Sequence, residues 1–189
     1  MSALNKRCNA LKMLSKVASF KTRKSVANGL FMGKLTYLIG VWGGTTSGNL
    51  NALQRIQNRA ARLVTRNWKA STVENLKAIG WLSINQLVFY HTVSLMFKVK
   101  MCRTVGGPTA PRSLVDMFSW EYGYNTRQAE EEKIRPMGNP KLEITKRGFR
   151  YRAAEYFNRL PKEIVNADKE KSFKFKVRNW IKENVTVKA

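Results

Sequence analysis

Apolar residues recur at three- and four-residue spacing along most of the chain, the period of helices with one buried face. Leu4, Cys8, Leu11, Leu14 and Val17 share such a face, with Lys6, Arg7, Lys12 and Lys16 largely off it, which predicts an amphipathic first helix. A second helix is predicted from about Thr22 to Ile39, with Val26, Leu30, Leu35 and Leu38 inward and Gly40, Gly43 and Gly44 marking its end. Gly29 and Gly33, four apart, predict a close helix contact. Ser47 is the expected cap of a third helix whose buried stripe is Leu50, Leu53, Ile56, Ala60, Leu63 and Val64.

Ser71 with Glu74 three residues on reads as a capping box, opening a short helix through Val73, Leu76 and Ile79 that Gly80 ends in the left-handed conformation. Ser83 and Gln86 repeat the box before Leu87, Val88, Tyr90, Val93, Leu95, Met96 and Val99, the expected core helix, which Gly106, Gly107, Pro108 and Pro111 break. From there to about Pro140 turn residues dominate, with a short helix expected at Ser113 to Phe118 and weak strand candidates near Tyr122 and Leu142. Two more helices are predicted, from about Lys146 to Leu160, stopped by Pro161, and from Ser172 to Asn184 with Phe173, Val177, Trp180 and Ile181 inward. The expected fold is mainly α: a basic helical domain over 1–103, a loop-rich linker with candidate short strands over 104–145, and a helical C-terminal region over 146–189.

Charge sharpens this picture. The 189 residues carry 35 Lys and Arg against 12 Asp and Glu, a net charge of +23. No acid precedes Glu74, so the first 73 residues hold 13 bases and nothing to offset them. A solvated face ordinarily mixes signs, and a stretch of one sign repels itself on folding. Nucleic acid is the commonest polyanion to relieve that, acidic lipid is another, and a merely soluble basic surface is the plain alternative. Five Trp, nine Phe and six Tyr supply enough apolar surface for a folded core. The longest apolar stretch, around Leu35 to Trp42, is far shorter than the roughly 20 residues of a membrane span. No apolar export core follows Lys6 and Arg7. Cys8 and Cys102 stand too far apart for a metal or redox spacing, which points to a reducing compartment, nucleus or cytoplasm, with no membrane partner.

Catalytic patterns are missing from the chain. Polymerases and nucleases gather carboxylates to hold metal ions, whereas Asp116 and Asp168 are the only aspartates and stand alone. Side chains of the consecutive Glu130, Glu131 and Glu132 point in different directions and read as a solvated charge run. His91, the single histidine, lies in an apolar helix with no nucleophile motif. Gly33 and Lys34 lack the upstream glycine and following Ser or Thr of a phosphate loop. The chain itself is therefore expected to be no enzyme and to hold no cofactor.

Binding chemistry is better represented. Arg55, Arg59, Arg62 and Arg66 recur every three or four residues on one predicted helix, an arginine ridge whose forks can bond phosphate oxygens over several turns. Lys21, Arg23 and Lys24 cluster at a predicted helix start, where backbone N–H groups also favour an anion. Trp42, Trp68, Trp81 and Trp180 are candidates for base stacking or for the core, and Trp68, between Asn67 and Lys69, is the best placed for stacking.

The order of these segments resembles the region that follows the catalytic palm in reverse transcriptases of non-LTR, LINE-type retrotransposons of the jockey-like group. The matching segments are Ala18-Ser19-Phe20-Lys21-Thr22-Arg23, Leu35-Thr36-Tyr37, Val41-Trp42-Gly43-Gly44, and the helix Leu53-Gln54-Arg55-Ile56-Gln57-Asn58-Arg59-Ala60-Ala61-Arg62. Ile79-Gly80-Trp81-Leu82-Ser83-Ile84, Thr126-Arg127, Phe149 to Pro161, and Ser172-Phe173-Lys174 with Trp180 continue the resemblance over nearly the whole chain. Phe157 departs from it, standing where that family usually has tryptophan. The resemblance implies a thumb and C-terminal region that grips RNA template, DNA primer or RNA–DNA hybrid without transferring nucleotides. It places the fingers, the palm with its magnesium-binding aspartates, and the endonuclease upstream of Met1, so the missing palm and fingers would be a partner. Two other readings accompany it: a stand-alone helical relic whose apolar surfaces meet another protein, and a decayed reading frame that folds poorly.

Overall fold

The computed structural model describes residues 2–105, 110–120, 133–135 and 140–185. The expectations at Gly106, Gly107, Pro108, Tyr122, Thr126, Arg127 and Glu130 to Glu132 lie outside the described residues. The fold is mainly α, with no strand among the described residues. It divides into two compact units, one of Met1–Ile39, Thr45–Leu87 and Val185–Ala189, the other of Gly40–Gly44 and Val88–Asn184. The division between the units falls inside the long core helix, between Leu87 and Val88.

In the first unit, α1 (Ser2–Leu14) buries Leu4, Cys8 and Leu11 and packs along α5 (Ser47–Thr65), which in turn carries α6 (Thr72–Ile79). Val17 falls beyond the end of α1 and is 86% exposed, so the first stripe stops short of its predicted length. The predicted second helix is α2 (Phe20–Val26), a π-helical stretch at Ala27–Met32, and α3 (Gly33–Thr36). Its buried residues are Ala27, Phe31, Leu35 and then Ile39, while Leu30 and Leu38 are exposed. Four residues of α-helix advance by about 400°, so a strict four-residue stripe drifts around the axis. The wider π turns run the other way and hold that stripe on one side, displacing the face that a pure α period predicts. Gly29 and Gly33 are both exposed and make no close helix contact: a Cβ on Gly29 would meet nothing within 4 Å.

Thr46, not Ser47, caps α5, its hydroxyl accepting the Asn49 N–H at 3.4 Å. Gln57, Ala60, Ala61, Leu63 and Val64 are buried, and Leu50, Leu53 and Ile56 are half-buried. Gln57 enters the core because its amide donates to the Leu82 carbonyl at 2.8 Å. The expected capping box opens α6: Ser71 Oγ accepts the Glu74 N–H at 3.2 Å and the Glu74 carboxylate accepts the Ser71 N–H at 2.9 Å. Gly80 closes it at φ 74°. The second box is present too, the Ser83 N–H donating to Gln86 Oε1 at 3.0 Å at the start of α7 (Ile84–Val105).

In the second unit, α4 (Ile39–Trp42) brings Gly40 against α7, where a Cβ would stand 3.5 Å from the backbone of His91 and Thr92. This is the close approach that the sequence suggested for Gly29 and Gly33. Helices α8 (Arg112–Val115), α9 (Glu143–Arg147), α10 (Phe149–Asn158), α11 (Lys162–Val165) and α12 (Glu170–Asn184) follow. Phe97 stacks on Phe173 at 4.1 Å, and Phe89 meets Tyr156 at 4.8 Å and Trp180 at 5.6 Å. The predicted helix from Lys146 is broken at Gly148 into α9 and α10, and Leu142 precedes α9 as an exposed cap position and forms no strand. Within the expected linker, Phe118 and Ile134 are buried. The Asn158 amide fixes Ile134 through both its N–H and its carbonyl, at 2.9 and 2.8 Å.

Candidate nucleic-acid interface

Helix α5 keeps Arg55, Arg59 and Arg62 within about 60° of one another at 100° per residue, a stripe opposite its apolar side. Arg55 and Arg59 are exposed, and Arg59 is steadied by Asn9 of α1, whose amide oxygen accepts from its guanidinium at 3.1 Å. Arg62 is half-buried, with its Nε enclosed and given no protein acceptor. Arg66 follows as the left-handed C-cap at φ 58°, its N–H donating to the Arg62 carbonyl and its side chain exposed. From Arg55 to Arg66 the basic stripe runs about 16 Å along the axis.

Arg23 leaves the predicted Lys21–Lys24 cluster. It is only 7% exposed, and its guanidinium donates to the Val64 carbonyl at 2.8 Å and the Ala18 carbonyl at 2.6 Å. Val64 lies in the last turn of α5, where carbonyls lack helical acceptance partners and a cation meets the negative end of the dipole. Burial, and then the charge of Arg66, hold the Arg23 guanidinium below its ordinary range. The side chain thus ties α2 to the end of α5 and is turned away from solvent. Lys21 is exposed and Lys24 half-buried on the same short helix, and at 100° per residue Lys21 stands about 200° around the axis from Arg23, so of the predicted cluster Arg23 is the residue that reaches the end of α5. The start of α2 is satisfied from within the chain, by Ser19 Oγ accepting the Thr22 N–H at 3.3 Å.

Beyond Arg66 the chain makes a turn bound by side chains that sequence reasoning passed over. Thr65 Oγ1 accepts the Asn67 N–H at 3.2 Å, and Asn67 Oδ1 accepts the Ala70 N–H at 3.0 Å. Asn75, buried on α6, donates to the Ala70 and Ser71 carbonyls at 3.1 Å each, and its Oδ1 accepts the Thr65 hydroxyl at 2.5 Å. The only sign of this in the sequence is Asn67 ahead of a capping box, an Asx-turn residue by type. At the tip stand Trp68, 62% exposed, and exposed Lys69. Glu74 is the one acid in the first unit, and its carboxylate is held at the Ser71 N–H. Within the first unit, then, no other acid faces the arginines.

The other three tryptophans considered for stacking are buried or half-buried. Trp81 donates to Asn28 Oδ1 at 2.8 Å and stacks on Phe31, Trp180 packs on Phe89, and Trp42 is half-buried. In the second unit His91 is half-buried, and burial followed by the charge of Lys174 pushes its pKa down. Among the described residues no group of three or more His, Cys, Asp or Glu side chains gathers as a metal ion requires. No helix among them is long and apolar enough to cross a membrane. Compared with family models, with curated proteins and with solved structures, the chain matches none.

Proposed function

We propose that this chain is the thumb and C-terminal region of a non-LTR retrotransposon reverse transcriptase and that its role is to hold the backbones of RNA template and DNA primer. The observation that carries the reading is the acid-free basic face of α5, with Arg55, Arg59 and Arg66 exposed and Lys69 exposed in the turn that follows it. Guanidinium forks bond phosphate oxygens bidentately, and a row of them follows a backbone whatever its sequence. On this reading the magnesium ions belong to the palm of the enzyme. The chain therefore binds and positions, and catalysis lies elsewhere.

The reading is tested by titrating the full chain against a fluorescent RNA·DNA hybrid. Arg55→Ala, Arg59→Ala and Arg66→Ala together weaken binding alike for unrelated sequences, because backbone contacts read no bases. Unchanged affinity would place the interface on another face. A second reading, a relic that docks another protein, is favoured by Tyr37 and Leu38, 67% and 58% exposed. A soluble monomer by light scattering, with hybrid binding intact, decides against it.

A further inference from the structure

We infer that the turn carrying Trp68 is a stacking platform for an unpaired base, so that the ligand of this face is a duplex with a single-stranded extension and not a fully paired one. The inference rests on the nucleic-acid reading above and adds the form of the ligand to it. A single exposed aromatic is ordinary on protein surfaces. Trp68 differs in how it is held. Arg66 before it adopts a left-handed backbone that a non-glycine residue takes up rarely. Thr65, Asn67 and buried Asn75 then fix both sides of the turn through five hydrogen bonds at residues 65–71. The backbone that carries the indole is thereby held without the ordering cost that a loose loop would carry on binding.

Its surroundings narrow the ligand. Arg66 stands two residues before Trp68 and Lys69 directly after it, both exposed, and the arginine stripe of α5 ends at this turn. A partner that suits an exposed π face on an acid-free basic turn brings a flat ring and negative charge together, as a nucleotide does. Bases inside a duplex are stacked on one another and hide their faces, whereas an unpaired base in a single-stranded extension can turn its face to the indole.

The test uses the full chain and two fluorescent probes, a blunt RNA·DNA hybrid and the same hybrid with a single-stranded RNA extension. The wild type binds the extended probe more tightly. Trp68→Ala weakens the extended probe by about fivefold to a hundredfold, as loss of one base–aromatic stack does, and leaves the blunt probe nearly unchanged. Trp68→Phe, which keeps a π face, restores most of the difference, and equal unfolding midpoints for all three proteins exclude misfolding. Equal effects of Trp68→Ala on both probes, or none, would overturn the inference while the arginine variants still test the broader reading. No binding of either probe by the wild type would instead remove that broader reading.

Discussion

Arg23 is charged, buried and bonded to two carbonyls, so its role is to hold α2 on the end of α5. Arg23→Ala leaves the Val64 and Ala18 carbonyls without this donor and is expected to cost about 2–4 kcal/mol in urea unfolding. Arg23→Lys recovers little, since an ammonium cannot reproduce the planar fork. A binding defect in Arg23→Ala that came with unchanged stability would show that the side chain acts on a ligand after all. His91 makes a pH prediction. Burial lowers its folded pKa below the unfolded value, so its neutral form contributes stability that is fully present above the ordinary histidine pKa. That contribution is lost as pH falls through the folded pKa. Unfolding free energy should therefore decline as pH falls below the ordinary histidine pKa, with a shallower decline in His91→Gln. The type of each residue was legible in the sequence. Which basic residue faces inward was not, because Lys21, Arg23 and Lys24 are equally polar neighbours and only the carbonyl of a distant helix end distinguishes one of them.

At the scale of elements, the parts fixed by local chemistry were the most legible. Ser71–Glu74 and Ser83–Gln86 each satisfy backbone donors within four residues of themselves, and both boxes stand where the sequence places them. Ser71→Ala is expected to cost about 1 kcal/mol, measured by thermal or urea unfolding, and an unchanged midpoint would mean that α6 is set by packing alone. The π-helical stretch at Ala27–Met32 was illegible for the opposite reason: its stripe is chosen by what Phe31 and Leu35 pack against, and a four-residue spacing fits an α-helix nearly as well. Gly44 belongs here too. A Cβ there would stand 2.1 Å from the Arg147 carbonyl and 2.6 Å from the Arg152 guanidinium, so a backbone segment has to move. Gly44→Ala should destabilise the fold by about 1–3 kcal/mol, whereas Gly29→Ala, with open space around it, should not.

At the scale of the whole molecule, the charge distribution carries the functional argument. The mainly α class and the one-signed first 73 residues could both be read from the sequence. The turn at Trp68 could not, since it depends on Asn75 reaching back from the next helix. The central claim, that the basic face holds nucleic-acid backbones, is tested most directly by the salt dependence of RNA·DNA hybrid binding to the full chain. Each phosphate neutralised releases condensed counterion, so log affinity should fall linearly with log salt, with a slope near −0.9 per contact for a duplex. Replacing Arg55, Arg59 and Arg66 by Ala should flatten that slope by about one for each residue. A slope near zero in the wild type, or one that the triple variant leaves unchanged, would contradict it.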